Sequence, residues 1–182
     1  MIDDRTAGRL TGPLNEVLKA IPDPQRGLPE PVFDFALKIT PMVNVDLLVR
    51  DGEGRSLLSW REDDWGRGWH IPGSIIRVNE PVARRIAACA EAELTATVEA
   101  DGPPLAMTEF RTARGHFFSL LFLCRLTGPI RNAALLDQSP PRPGALAWHR
   151  GVPDRLYPAH TVYDPWLSGS ELPPGPVFRF IP

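Results

Sequence analysis

WHIPGSIIRVNEPVARRIAACAEAELT, residues 69 to 95, is the stretch on which the fold turns. Its first half holds two short extended pieces, WHIPG and SIIRV, around a glycine turn. Its second half reads as a helix from Glu80 to Leu94. Asn79 suits the N-cap, Glu80 suits the positive end of the helix, and Pro81 is tolerated in the first turn. Val82, Ile86, Cys89 or Ala90, and Leu94 recur at helical spacing and predict the buried stripe. Arg84 and Arg85 fall off that stripe and read as a solvated face.

Working outward, strand signals surround this helix. Val43, Val45, Leu47 and Val49 alternate with Asn44, Asp46, Leu48 and Arg50, which is the period of a strand. Asp51-Gly52-Glu53-Gly54 supplies a turn, and SLLSW pairs back as a hairpin. After the helix come TATVEA, a turn at Asp101-Gly102, a strand near AMTEFRT, the long run HFFSLLFLCRL, and ALAWH behind a proline-rich loop. Helical pieces flank the strands: LNEVLKAI, PEPVFDFALKI, and a short helix around Asp154 to Tyr157. The pattern predicts an α/β (α+β) fold with a mixed sheet. Residues 1–29 read as an N-terminal extension with a short helix, 30–165 as the main domain, and 166–182 as a proline-rich, extended tail.

Composition bounds the function. The 182 residues carry 43% hydrophobic side chains, enough for a core, and 21 prolines that cluster at both ends. Lys and Arg number 20 against 22 Asp and Glu, leaving a formal charge of -2. No field for gripping nucleic acid or an acidic membrane is evident. Two cysteines, Cys89 and Cys124, make no disulfide framework, and Cys124 lies in an apolar run as an ordinary core thiol. The opening MIDDRTAGRL has no basic segment leading into an apolar one, and no apolar stretch reaches about 18 residues. A reduced, cytoplasmic protein is expected.

A strand, a glycine turn, a second strand and an acid-bearing helix occur here in that order. This segment resembles the Nudix hydrolase signature, Gly-x5-Glu-x7-Arg-Glu-U-x-Glu-Glu-x-Gly, where U is aliphatic. The box is reduced. Ser74 replaces the second glycine of Pro-Gly-Gly. Ala88 and Cys89 stand for the arginine and glutamate, Ala92 for the first of the paired glutamates, and Thr95 for the closing glycine. TPMVNVDLLV, GRSLLSWRED, GWHIPGS, AEL and RGHFFSLLFLCRL are similar, in order and spacing, to the GDP-mannose mannosyl hydrolase branch. That resemblance covers about residues 30 to 165 and implies a Nudix-type α/β/α sandwich.

Carried over position by position, the resemblance implies a site. Glu93 matches a carboxylate ligand of Mg²⁺, and Gly73 a backbone carbonyl ligand. Asp46 and His116 match residues on the sugar side, and Arg61 one facing the nucleotide diphosphate. The third metal ligand and the general base would fall at Arg142 and Pro143, or at Gln138 if the loop slips. The implied activity is Mg²⁺-dependent hydrolysis of a nucleoside diphosphate-linked substrate, with a nucleotide sugar of GDP-mannose type the best candidate and a homodimer the expected assembly.

Plainer readings stand beside these. Glu80 has a structural explanation at the helix start; its other possible roles are direct catalysis or orienting Glu93 or a metal-bound water. Glu93 reads equally as a solvated helix-end acid. Asp46 needs a partner or a ligand on its strand, and Asn44 and Arg50 share its face. His116 reads as an edge histidine or a pocket residue, His70 as a packing residue, and His149 and His160 as peripheral, although His160 in PAHTVY resembles a family position near the C-terminal helix. Trp60, Trp65 and Trp69 serve packing or stack on a base or sugar. The rival function is a non-catalytic module of the same fold that binds a nucleotide, a sugar ligand or a protein.

Overall fold

A computed structural model describes residues 4–169 and 177–181. Its centre is a mixed sheet built from β1 (Met42–Arg50), β2 (Ser56–Asp63), β3 (Gly66–His70), β4 (Gly73–Ile75), β5 (Val98–Ala100), β6 (Ala106–Thr112), β7 (Gly115–Leu126), β8 (Leu146–His149) and β9 (Val177–Ile181). Along the main path the order is β3-β2-β1-β7-β6-β9, while β4 pairs with β1, β5 with β7 and β8 with β2. The β1–β7 and β6–β9 pairs are parallel and the others antiparallel. Four α-helices, α1 (Asp4–Lys19), α2 (Glu30–Ile39), α3 (Val82–Leu94) and α4 (Asp164–Leu167), and three short 3-10 helices complete the described elements. The expected α/β sandwich with a mixed sheet is what forms.

The period of β1 explains its place. Val45, Leu47 and Val49 point to one face, where they pack with Ile86, Cys89, Ala90 and Leu94 of α3. Leu48 points to the other, where it meets Leu58, Leu121, Tyr163 and Trp166. Val45 to Val49 are therefore all buried. A strand covered on both faces this way needs apolar residues at nearly every position. Asp46 is the exception, and it marks the site.

The ends of several elements differ from their sequence reading. The first helix runs from Asp4 to Lys19, well beyond LNEVLKAI, with Pro13 inside it. α3 begins at Val82, with Pro81 as its N-cap. Asn79 takes a left-handed conformation, φ 56°, which turns the chain before the helix instead of capping it. Val82, placed on the buried stripe, is 37% exposed. At the other end Thr95 adopts φ 49°, the left-handed C-cap where a glycine is usual, and its hydroxyl accepts a bond from Asn132 N–H at 3.2 Å. The helix expected at Asp154–Tyr157 forms later, as a 3-10 turn over Pro158–Tyr163 running into α4. Val177–Ile181, read as part of an extended tail, adds β9 to the edge of β6.

The sheet parts beside β1. Val49 and Arg50 pair with Leu57 and Ser56 at one end of β1, whereas Asn44 to Asp46 pair with β4. From Ser59 onward β2 pairs with β3 instead. The divergence of β1 and β2 opens a cleft.

Candidate active site

The cleft has a volume of about 1040 Å³, and its lining includes Asp46, Arg61, His70, Gly73, Glu93 and His160. That is a size suited to a small-molecule ligand. Five of the six carry polar or ionisable side chains, contributed by β1, β2, β3, α3 and the 3-10 turn, with Gly73 on β4.

Asp46 is 6% exposed. Its Oδ2 accepts bonds from the hydroxyls of Ser119 and Tyr163. Burial pushes its carboxyl above the usual carboxylate range, with the two hydroxyls and the charges of His70 and Arg61 acting the other way. Burial and the carboxylate beside it push the Tyr163 phenol well up. The partners offered by the sequence, Asn44 and Arg50, are not the ones used; Arg50 donates instead to the Trp166 carbonyl. Opposite Asp46 stands Gly73, its cross-strand partner. A Cβ at Gly73 would lie 2.1 Å from Asp46 Oδ1. Glycine is required there by the aspartate.

Glu80 does not line the cleft; it is closed off behind Arg85, which does. Its Oε1 and Oε2 each take a 2.7 Å bond from Arg85, and Oε2 takes a third from Arg77 N–H at 3.0 Å. Arg85 continues to Ser74 Oγ at 3.1 Å. The Arg85 guanidinium holds the Glu80 carboxyl below its ordinary range, against the opposing effect of burial. Arg85 is only 6% exposed, so the solvated face expected for it is corrected. It turns back across the first turn of α3 to reach Glu80.

Glu93 is placed differently. Its side chain is 33% exposed and faces His70, whose Nε2 stands 3.4 Å from Glu93 Oε2. His70 is buried, and its Nδ1 lies 2.8 Å from the Ser59 carbonyl oxygen. The packing role expected for His70 is real, but it leaves out the more informative half of the ring. His160, expected at the periphery, packs edge-on to His70 with ring centroids 5.6 Å apart. Its Nδ1 accepts the Ile71 N–H at 3.1 Å. Burial, then the charges of His70 and Arg61, hold its pKa well below the ordinary histidine value.

Arg61 extends along the cleft wall, bonded to Asp63 at 2.6 Å and lying 5.5 Å from the centroid of the Tyr157 ring. Tyr157 donates to the other oxygen of Asp63 at 2.7 Å, and burial with this bond raises the phenol to about 12. Trp65 also lines the cleft and is half-exposed, while Trp60 is buried edge-on against Trp69. Pro143 borders the cleft. Gln138 turns away to donate to the Ala134 carbonyl.

His116 lies elsewhere. On β7 it alternates with Phe117 and Ser119, which face the cleft side, and its Nε2 pairs with Glu109 at 2.8 Å. The sequence reading missed Tyr157, Tyr163, Ser119, Arg85 and His160 as site residues. A histidine two residues before the Pro72-Gly73 turn was the one local signal available for His70.

Among the described residues no three His, Cys, Asp or Glu side chains converge as a metal cluster. No helix among them is long and apolar enough to cross a membrane.

Solved structures share this architecture. A Nudix hydrolase from Nitrosomonas europaea superposes with a TM-score of 0.57 at 17% identity, covering 78% of this chain and 79% of that one. An ADP-ribose pyrophosphatase from Streptococcus suis gives 0.54 at 19% identity, covering 78% and 100%. A MutT Nudix hydrolase from Burkholderia pseudomallei gives 0.54 at 24% identity, covering 68% and 95%. The chain has the Nudix fold. No family model matches the sequence. The low-salt glycan biosynthesis protein Agl8 of Haloferax volcanii is 33% identical over 72 residues, 39% of this chain. The match spans 46% of that protein's length, less than half of it.

Proposed function

We propose that this protein hydrolyses a nucleoside diphosphate-linked substrate, with a nucleotide sugar of GDP-mannose type the best candidate. The observation that carries the reading is Glu93, an acid that lines a large cleft on the Nudix fold and, among the described residues, pairs with no arginine. Arg61, on the wall, supplies a charge-assisted contact for a diphosphate. Trp65, half-exposed on the cleft wall, offers an aromatic face for a base or sugar. Asp46 acts by positioning, because its carboxyl is engaged by two hydroxyls and fixes the approach of Gly73.

Mg²⁺ takes oxygen donors and commonly shares its shell between one or two carboxylates and substrate phosphates. Asp46, Glu62 and Glu93 are the carboxylates that line the cleft; Asp46 is taken by Ser119 and Tyr163, and of the other two Glu93 is the one that matches the carboxylate ligand implied by the resemblance. Glu93 and the Gly73 main-chain carbonyl would hold the ion, with the substrate's diphosphate completing the shell. Bound there, Mg²⁺ supplies neutralisation of the charge on the departing diphosphate. A homodimer belongs to the same proposal; the exposed Leu10, Leu14 and Leu18, on one stripe of α1, supply an apolar face for it.

The test is a panel of nucleotide sugars assayed with Mg²⁺ in ¹⁸O-labelled water, beside calorimetric Mg²⁺ titration and light scattering. Label in the sugar marks attack at the anomeric carbon; label in the phosphate marks attack at phosphorus. Absence of both turnover and metal binding, with Glu93→Gln silent, removes the hydrolase reading. The second reading, a ligand-binding module, is favoured by Ala88, Cys89 and Ala92, which leave α3 with no other carboxylate near Glu93 facing the cleft. It predicts nucleotide-sugar binding without turnover.

A further inference from the structure

We propose that His70 Nε2 and Glu93 Oε2 are a nitrogen–oxygen ligand pair for a divalent cation, so that the site favours Mn²⁺, Co²⁺ or Zn²⁺ over Mg²⁺. The inference rests on the metal half of the function proposed above and changes the identity of the ion.

Three observations carry it. The first is the direction of the His70 ring. Nδ1 is 2.8 Å from the Ser59 carbonyl oxygen, and a carbonyl only accepts, so the proton of the neutral ring is on Nδ1. Nε2 then aims a lone pair at Glu93 Oε2. In that neutral form two acceptors face each other across the gap, and either a proton on Nε2 or a cation between them resolves the clash; the length of the gap separates the two.

The second is the length of that gap. At 3.4 Å the separation exceeds the roughly 2.7–2.9 Å of a charge-assisted N–H···O bond. Two metal–ligand bonds of about 2.1 Å, meeting near the tetrahedral angle, span about 3.4 Å between donor atoms. The gap has the size of a cation's bite.

The third is how firmly the ring is held. Ser59 and His70 are cross-strand partners on β2 and β3, and the His70 side chain is 4% exposed. His160 and Tyr157 pack around it. A histidine that gives one ring N–H to a backbone carbonyl and points the other nitrogen at an acid is pre-oriented as a ligand. Imidazole suits borderline cations such as Co²⁺ and Zn²⁺; Mn²⁺ is harder but still takes a nitrogen ligand more readily than Mg²⁺, which prefers oxygen alone. His160 is no rival ligand: its Nδ1 is spent on the Ile71 N–H, which leaves the proton on Nε2. Two side chains fill part of a coordination shell, and a substrate's diphosphate oxygens and water supply the remainder.

The experiment uses untagged full-length protein. Mn²⁺, Zn²⁺ and Mg²⁺ are titrated calorimetrically with and without GDP, and the Mn²⁺ complex is examined by pulsed electron paramagnetic resonance for a directly bound ¹⁴N. The expected result is ¹⁴N coupling in the wild type and none in His70→Phe. That variant should lose at least ~10-fold in Mn²⁺ and Zn²⁺ affinity while Mg²⁺ affinity moves less than about twofold. Bound Mn²⁺ without ¹⁴N coupling overturns the ligand assignment; if Glu93→Gln abolishes that binding, the function proposed above still stands. No ion bound under any condition overturns both. Should His70→Phe fail to fold, the wild-type spectrum decides alone.

Discussion

Glu80 precedes α3 and Glu93 closes its last turn, and the two acids have opposite fates. The Glu80 side chain is 3% exposed and taken by Arg85, with Arg77 N–H adding a third bond. The Glu93 side chain is 33% exposed and faces His70 Nε2. A carboxylate sealed under an arginine is already neutralised and ties the loop before α3 to the helix. A carboxylate left open to a cleft stays accessible to a ligand. The same residue type thus does structural work at one end of the helix and is available for chemistry at the other.

The sharpest way to break this contrast is at Arg85. Arg85→Met strands a buried Glu80 and should cost about 3 kcal/mol in denaturant melts, the low end for a broken buried pair because Arg85 borders the cleft. Adding Glu80→Gln should recover at least half. The pH dependence has a definite sign. The Glu80 carboxyl is depressed by folding, so its contribution is present above its ordinary value of 4.5 and is lost as pH falls through the depressed one. The double variant should lose less stability in acid than the wild type; equal losses would show that the pair is not what holds the loop.

Glu93→Gln should give the reverse pattern. Nucleotide-sugar turnover is expected to fall roughly 10²-fold, with stability within about 1 kcal/mol of wild type. A large stability loss with turnover intact would place Glu93 beside Glu80 as a structural acid.

Asp46 extends the comparison to a third carboxylate, buried but without an arginine. Its pKa is raised by burial, so the folded state holds its proton longer than the unfolded chain. Relative to Asp46→Asn, wild-type stability should decline as pH rises from 3.8 through the raised value, then level off. A flat difference across that range would show that the carboxylate is fully compensated by Ser119 and Tyr163. The smallest effect is expected at His116, which pairs with Glu109 on the other face of β7. His116→Phe should change stability by about 0.5 kcal/mol or less, and turnover by less than about twofold. A tenfold loss of turnover would restore the sugar-side role that resemblance implied.

How far each of these residues could be read depended on how local its signal was. Ile86, Cys89, Ala90 and Leu94 were legible because helical spacing alone puts them on one face. The strands β1 and β7 were legible from period and length. Arg85 was not, because its burial depends on Asn79 reversing the chain so that Glu80 comes back within reach. His70 was half-legible: strand alternation tells that it packs, but nothing nearby in sequence tells that Glu93 will cross in front of it. Asp46 announced itself as a carboxylate in need of a partner, yet Ser119 and Tyr163 lie on distant segments that only the parallel β1–β7 pairing and the final turn bring together.

By itself, then, the sequence determined the elements whose causes are local: the alternating strands, the glycine turn at Pro72-Gly73, and the apolar stripe of α3. Its order of strand, turn, strand and acid-bearing helix also carried the Nudix resemblance, and the fold agrees with it. Tertiary structure decided which acid is sealed and which is open, and which histidine faces the open one. Those outcomes depend on charge and hydrogen-bond partners supplied by segments far apart in the chain, and no periodicity encodes such a meeting.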